Sequence, residues 1–245
     1  MFGALPSDHV VLCLPPLFEE MNLSRAVIAK QAQYFAEHGL ITCVMDYFGT
    51  GDSEGETDDA DVSIWLNDIL EVASWLKSRG VQRLTLWGVR FGGLMLLHFQ
   101  DELHKTLPVC QQLLWKPLLS GELFVKQFIR LKNLNSVLKG DEKKIDWRQN
   151  IREGNATEIA GYPLNQALLQ SIESLAVTRE IEPRTHIVWM ELAATQPGSK
   201  VVETIERWPV DACTISPEDT PAFWQRPDIF TVAELYPRSL ALVRG

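Results

Sequence analysis

A chain of 245 residues, 46% hydrophobic and 22% charged, can bury one sizeable core, and its composition is that of neither a disordered nor a fibrous protein. A formal net charge of −9 lacks the clustered basic surface that phosphate neutralisation needs, so nucleic acid is excluded as a partner. The opening MFGALPSDHVVLCLPP carries no basic leader, and its apolar run breaks at Pro15 and Pro16, too early for a signal peptide or a membrane span, so a cytoplasmic location is expected.

Along the chain, short apolar β-rich runs alternate with longer segments of helical period, the pattern of a mostly parallel sheet with crossover helices on both faces. His9 to Leu14 reads as the first buried strand. A helix is predicted from Ser24 to Glu37, with Ile28, Ala32 and Phe35 on one face and Gly39 as its stop signal. Leu40 to Tyr47 is the next strand. After the turn from Gly49 to Gly55, Trp65, Ile69, Val72 and Leu76 recur at helical spacing and are expected in the core. A strand from Leu84 to Trp87 runs into Gly88-Val89-Arg90-Phe91-Gly92-Gly93, where a leucine-rich helix opens. Cys110 to Leu118 follows as a strand. The stretch from Ser120 to Pro183 is polar, helical in period and poor in strand signals, and reads as a helical lid inserted into a single domain spanning 1–245. The sheet resumes at Thr185 to Leu192 and ends with Ala212 to Ile215; a loop, Ser216 to Asp228, and a terminal helix from about Val232 complete the chain. Cys13, Cys43, Cys110 and Cys213 all fall in apolar strand-like runs without metal-ligand spacing, so they are expected to be buried thiols, and no metal is implied.

Gly88-Val89-Arg90-Phe91-Gly92 has the form and setting of the nucleophile elbow of an α/β-hydrolase fold, Gly-x-Ser-x-Gly between a strand and a helix. Arginine occupies the serine position. A guanidinium stays protonated and forms no acyl ester, so covalent serine-type catalysis from this turn is chemically excluded. Glu191 is the carboxylate near the acid position of a triad, whereas the loop after the last strand contains no histidine. His9 and His186 are expected at strand starts, His38 at a helix end, and His98 and His104 on the helix leaving the elbow, none placed as a base.

Several motifs together resemble the exosortase A system-associated hydrolase 2 family. They are Leu14-Pro15-Pro16-Leu17-Phe18-Glu19-Glu20-Met21-Asn22 with Ser24-Arg25, Asp46 with Gly51-Asp52-Ser53, Trp87 through Gly92, Leu114-Trp115-Lys116-Pro117 with Ser120-Gly121, and Phe223-Trp224. The resemblance is strongest in the first half of the chain, and an arginine at the elbow is similar to that family's own pattern. It implies an α/β-hydrolase fold in a bacterial protein linked to exopolysaccharide synthesis and to the sorting of secreted proteins. The same motifs supply the candidate ligand-binding residues Glu19, Glu20, Asn22, Arg25, Arg90, Phe91, Trp115 and Trp224.

Other readings compete at particular motifs. Gly49-x-Gly51 resembles a dinucleotide fingerprint, but Asp52, Glu54, Glu56, Asp58, Asp59 and Asp61 crowd the place where a pyrophosphate needs positive potential, so no cofactor is implied. The plainer reading is a tight turn in which Asp52 and Ser53 bond local backbone. Glu19 and Glu20, placed in the loop after the first strand, are either solvated charges or partners of Arg90, whose desolvated guanidinium needs a carboxylate or an anionic ligand. Between Lys126 and Arg152, Lys126, Arg130, Lys132, Lys139, Lys143, Lys144, Arg148 and Arg152 outnumber Asp141, Glu142 and Asp146. This basic stretch is either a solvated helical face or a surface for anionic lipid, polysaccharide or protein. Two functions remain open: a non-triad accessory protein binding a small-molecule or chain-end ligand, and a hydrolase whose water is activated by Glu19, Glu20 or Glu191.

Overall fold

The computed structural model describes residues 1–138, 146–155, 157–228 and 231–244, with backbone alone over 131–138. Its strands are β1 (His9–Leu14), β2 (Ile41–Val44), β3 (Arg83–Val89), β4 (Val109–Trp115), β5 (Thr157–Ile159), β6 (Tyr162–Leu164), β7 (Ile187–Leu192) and β8 (Cys213–Glu218). Six of them form one sheet in the order β2-β1-β3-β4-β7-β8, and every neighbouring pair is parallel. The order reverses at β1, which lies between β2 and β3, so the switch point where open α/β sheets bind ligands falls at the carboxyl ends of β1 and β3.

The helices are α1 (Glu19–Glu37), α2 (Val62–Ser78), α3 (Phe91–His98), α4 (Gln100–Thr106), α5 (Gly121–Leu138), α6 (Trp147–Arg152), α7 (Gln166–Glu173), α8 (Ser199–Ile205) and α9 (Leu235–Arg244). α1 begins five residues before the predicted Ser24. Glu19 and Glu20 therefore form its first turn instead of a loop, where carboxylates face the positive end of the helix dipole. Gly39 ends this helix in the left-handed region, as its stop signal requires. The helix leaving the elbow stops at His98 and a separate α4 begins at Gln100, so His98 and His104 do not share one helix. The terminal helix starts at Leu235, three residues after Val232.

The chain divides into two compact units. The first comprises Met1–Met45, Ile69–Pro117 and Val177–Gly245. Val11, Cys13, Trp87, Val89, Leu113, Trp115, Val188 and Met190 line one sheet face and pack with Val27, Ile28, Ala32 and Phe35 of α1 and with Leu235 and Leu240 of α9. At its centre the rings of Trp87 and Trp115 meet edge to face, 4.7 Å between centroids, and Phe35 closes on Trp87 at 5.7 Å.

The second unit comprises Asp46–Asp68 and Leu118–Ala176. Within it β5 and β6 pair antiparallel, a hairpin that the strand-poor reading of this stretch misses, because three-residue strands leave almost no alternation to detect. A Cβ on Gly121 would stand 1.8 Å from the Ile172 carbonyl oxygen, so only glycine admits this approach of α5 to α7. The acidic turn is organised by Asp46, whose carboxylate accepts from the Asp52 backbone at 3.0 Å and whose carbonyl accepts from the Ser53 hydroxyl at 2.8 Å. Lys126, Arg130 and Arg152 are exposed, while Arg148 is paired with Glu173 at 2.5 Å. Lys139, Asp141, Glu142, Lys143, Lys144 and the Lys132 side chain lie outside the described residues. No helix among the described residues is long and apolar enough to cross a membrane.

Candidate functional site

The site is built on the turn between β3 and α3, in the first unit. Arg90 sits there at φ 53° and ψ −109°, a conformation that a side chain with a Cβ adopts only under constraint. The glycines around it supply that constraint. A Cβ on Gly92 would come within 2.1 Å of the Leu14 carbonyl oxygen, and one on Gly88 within 2.6 Å of the Gly93 Cα. One on Gly93 would lie 2.6 Å from Pro117 Cβ. The elbow is thus clamped between the ends of β1 and β4, and its backbone is held by Arg90 N–H donating to the Trp115 carbonyl at 2.9 Å.

The Arg90 side chain is enclosed on all sides. Its Nε donates to Glu20 Oε2 at 3.1 Å and its Nη2 to Glu20 Oε1 at 3.0 Å, the two-pronged geometry in which a guanidinium binds a carboxylate most strongly. Nη1 donates to the Lys116 carbonyl at 3.2 Å, and the guanidinium carbon stands 4.9 Å from the centre of the Trp224 ring. Only 9% of the Arg90 side chain and 19% of that of Glu20 remain exposed. Of the two carboxylates proposed for this role Glu20 is the one engaged, whereas Glu19 accepts from Asn22 Nδ2 at 3.4 Å.

A second ion pair extends the row. Glu191, at the end of β7, is buried and paired with Lys116 Nζ, and its other oxygen accepts from the indole N–H of Trp189 at 2.9 Å. Lys116 follows β4 in the left-handed region at φ 46°, a conformation that lets its carbonyl face Arg90 while its ammonium reaches Glu191. The ends of β3, β4 and β7 and the start of α1 are therefore joined through Glu20, Arg90, Lys116 and Glu191, two negative and two positive groups whose charges cancel. Lys116 and Trp189 had no assigned role in the sequence, although Lys116 belongs to the Leu114-Trp115-Lys116-Pro117 motif.

The remaining candidates are dispersed. Phe91 and Trp115 are fully enclosed in the core, and Asn22 and Arg25 are exposed along α1. The histidines lie elsewhere in the fold. His9 and His186 mark the amino ends of β1 and β7, His38 caps α1 through Tyr34 O, and His104 bonds Gln100 O on α4. His98 closes α3, about 12 Å along the helix from the elbow. Among the described residues no group of three His, Cys, Asp or Glu side chains is arranged to hold a metal ion.

The fold has many counterparts among solved structures. Mouse alpha/beta hydrolase domain-containing protein 10 matches with a TM-score of 0.59 and 15% identity, over 100% of this chain and 92% of its own. Est1E from Butyrivibrio proteoclasticus, solved with ferulic acid bound, matches at 0.62 and 14%, over 96% and 87%. The monoacylglycerol lipase of Paleococcus ferrophilus matches at 0.60 and 15%, over 99% and 96%. The chain has the α/β-hydrolase fold. No family model and no curated protein sequence matches it. The fold by itself carries no activity with it.

Proposed function

We propose that this chain is an accessory, ligand-binding protein of the α/β-hydrolase fold, without serine-type acyl transfer, serving exosortase- and exopolysaccharide-linked export at the cytoplasmic side. The observation that carries the reading is the occupant of the elbow: an arginine in the nucleophile's position, held by both prongs to Glu20. Such a group has no lone pair to offer a carbonyl carbon. Because Glu20 already neutralises Arg90, the edge suits a polar small molecule or a polymer chain end better than a free phosphate. The link to export rests on the motif resemblance, and Lys126, Arg130 and Arg152 are the exposed cations through which a protein or membrane-surface partner would be met.

Est1E and the monoacylglycerol lipase have hydrolase names, and their likeness in fold supports a second reading, hydrolysis by an activated water. Glu20 and Glu191 are both engaged by cations, which leaves Glu19 as the carboxylate for that water.

The direct test is a serine-directed fluorophosphonate probe together with simple ester substrates. No serine is expected to label, and ester turnover is expected to match the buffer control. Stoichiometric labelling of any serine overturns the reading in favour of an active hydrolase. A companion experiment restores the missing residue. Arg90→Ser is expected to leave turnover at background, because a serine hydroxyl with no histidine to take its proton is a poor nucleophile. Rates in the range of about 1–10³ s⁻¹ typical of enzymes would show that a base stands within reach of the elbow.

A further inference from the structure

At the opposite end of the sheet, the amino ends of β1, β3 and β4 bring together a thiol, an imidazole and a hydroxyl that the elbow does not use. The register between β3 and β4 slips there: Leu84 pairs with Val109 and Thr85 with Gln111, so Cys110 is an extra residue, a β-bulge. A bulge re-aims the side chain it carries. Here it turns Cys110 onto the face of His9 and Thr85. The Cys110 sulfur lies 3.7 Å from His9 Nε2 and 3.9 Å from Thr85 Oγ1, and it donates to the Leu84 carbonyl at 3.3 Å. His9 Nε2 is itself 2.9 Å from the Thr85 hydroxyl, which fixes the ring against the sulfur.

We propose that Cys110 and His9 form a nucleophilic thiol site, at which a low-molecular-weight disulfide reversibly thiolates the protein. In the step, the Cys110 proton passes to His9 Nε2 and the thiolate attacks one sulfur of the disulfide. A bond forms between Cys110 Sγ and that sulfur as the reagent's own S–S bond breaks. The leaving thiolate takes the proton from the imidazolium, so Cys110 is oxidised and half of the reagent is released as reduced thiol.

The contrast with the other cysteines sets the selectivity. Cys13 is fully buried and its thiol is pushed well up by burial; burial also raises Cys43 and pushes Cys213 up to about 12. Cys110 is the exposed member of the four and Cys43 and Cys213 are half-buried, so of the four thiols expected to be buried only Cys13 is. The groups facing His9 are Asp8 just before its own strand, Arg83 and Thr85 on β3, and Cys110 on β4. Burial, then the Arg83 charge, holds the imidazole below its usual range against the opposing pull of Asp8, so it is neutral and able to accept a proton at pH 7. The thiolate formed beside it offsets the unfavourable charging of the ring.

The test is the rate at which the intact protein releases thionitrobenzoate from dithionitrobenzoic acid, with peptide mapping to locate the adduct. Cys110 is expected to react first, and His9→Gln, which keeps a hydrogen-bonding partner for Thr85, to react about tenfold more slowly near pH 7. The two rates are expected to converge above about pH 9, where solvent ionises an ordinary thiol unaided. Equal rates near pH 7, or an adduct first on Cys43 or Cys213, would overturn the proposal. Should His9→Gln fail to fold, the unmodified protein decides. Its first adduct is expected on Cys110, and a first adduct on Cys43 or Cys213 overturns the proposal.

Discussion

Replacing Glu20 with alanine is expected to lower the unfolding free energy by about 3–5 kcal/mol, because it strands a guanidinium that is almost wholly out of water. After the change Arg90 keeps only the Lys116 carbonyl and the face of Trp224, neither of which carries a full negative charge. The loss belongs to the unpaired charge and not to the pair as such, since two buried ions must first be desolvated to attract one another. A double replacement, Glu20→Leu with Arg90→Met, is therefore expected to unfold within about 1 kcal/mol of the parent. Urea unfolding of the parent, Glu20→Ala, Arg90→Ala and the paired variants supplies both comparisons. A Glu20→Ala protein within about 0.5 kcal/mol of its parent would mean that Arg90 finds water or another partner, and the enclosed geometry would then not describe the protein in solution.

What could be read ahead of the structure follows from the range over which each constraint acts. The elbow was legible because its glycines answer a local demand, the approach of Gly92 to the Leu14 carbonyl, and that demand is written as a fixed spacing. That Arg90 needs a carboxylate or a bound anion was legible from desolvation alone. Which one was not, because the choice between Glu19 and Glu20 depends on where α1 begins, and the backbone of Phe18, at φ 57°, starts the helix earlier than the apolar period suggests. The Lys116–Glu191 pair joins residues 75 positions apart. It exists because β4 and β7 are neighbours in the sheet, and no local pattern records that adjacency. Cys110 was misjudged for the opposite reason: its surroundings in sequence are strand-like, but a one-residue register slip turned it out of the core.

Glu191→Ala is expected to be comparably damaging, about 3–5 kcal/mol, although the two partners it leaves behind differ. The indole N–H of Trp189 belongs to a fully buried ring and cannot turn to water. The Lys116 side chain is 26% exposed and can recover part of its hydration, so the indole and the lost packing account for much of the effect. Glu191→Gln keeps an acceptor for Trp189 while removing the charge, and its loss is expected to be about half as large. The more telling result is coupling. Lys116 gives its ammonium to Glu191 and its carbonyl to Arg90, so disturbing Glu191 also disturbs the cradle of Arg90. The combined Glu191→Ala and Glu20→Ala protein should therefore depart from the sum of its single changes by at least about 0.5–1 kcal/mol. Strict additivity would show that the two ion pairs act independently, and Glu191 would then be stabilising β4 and β7 without any bearing on the elbow.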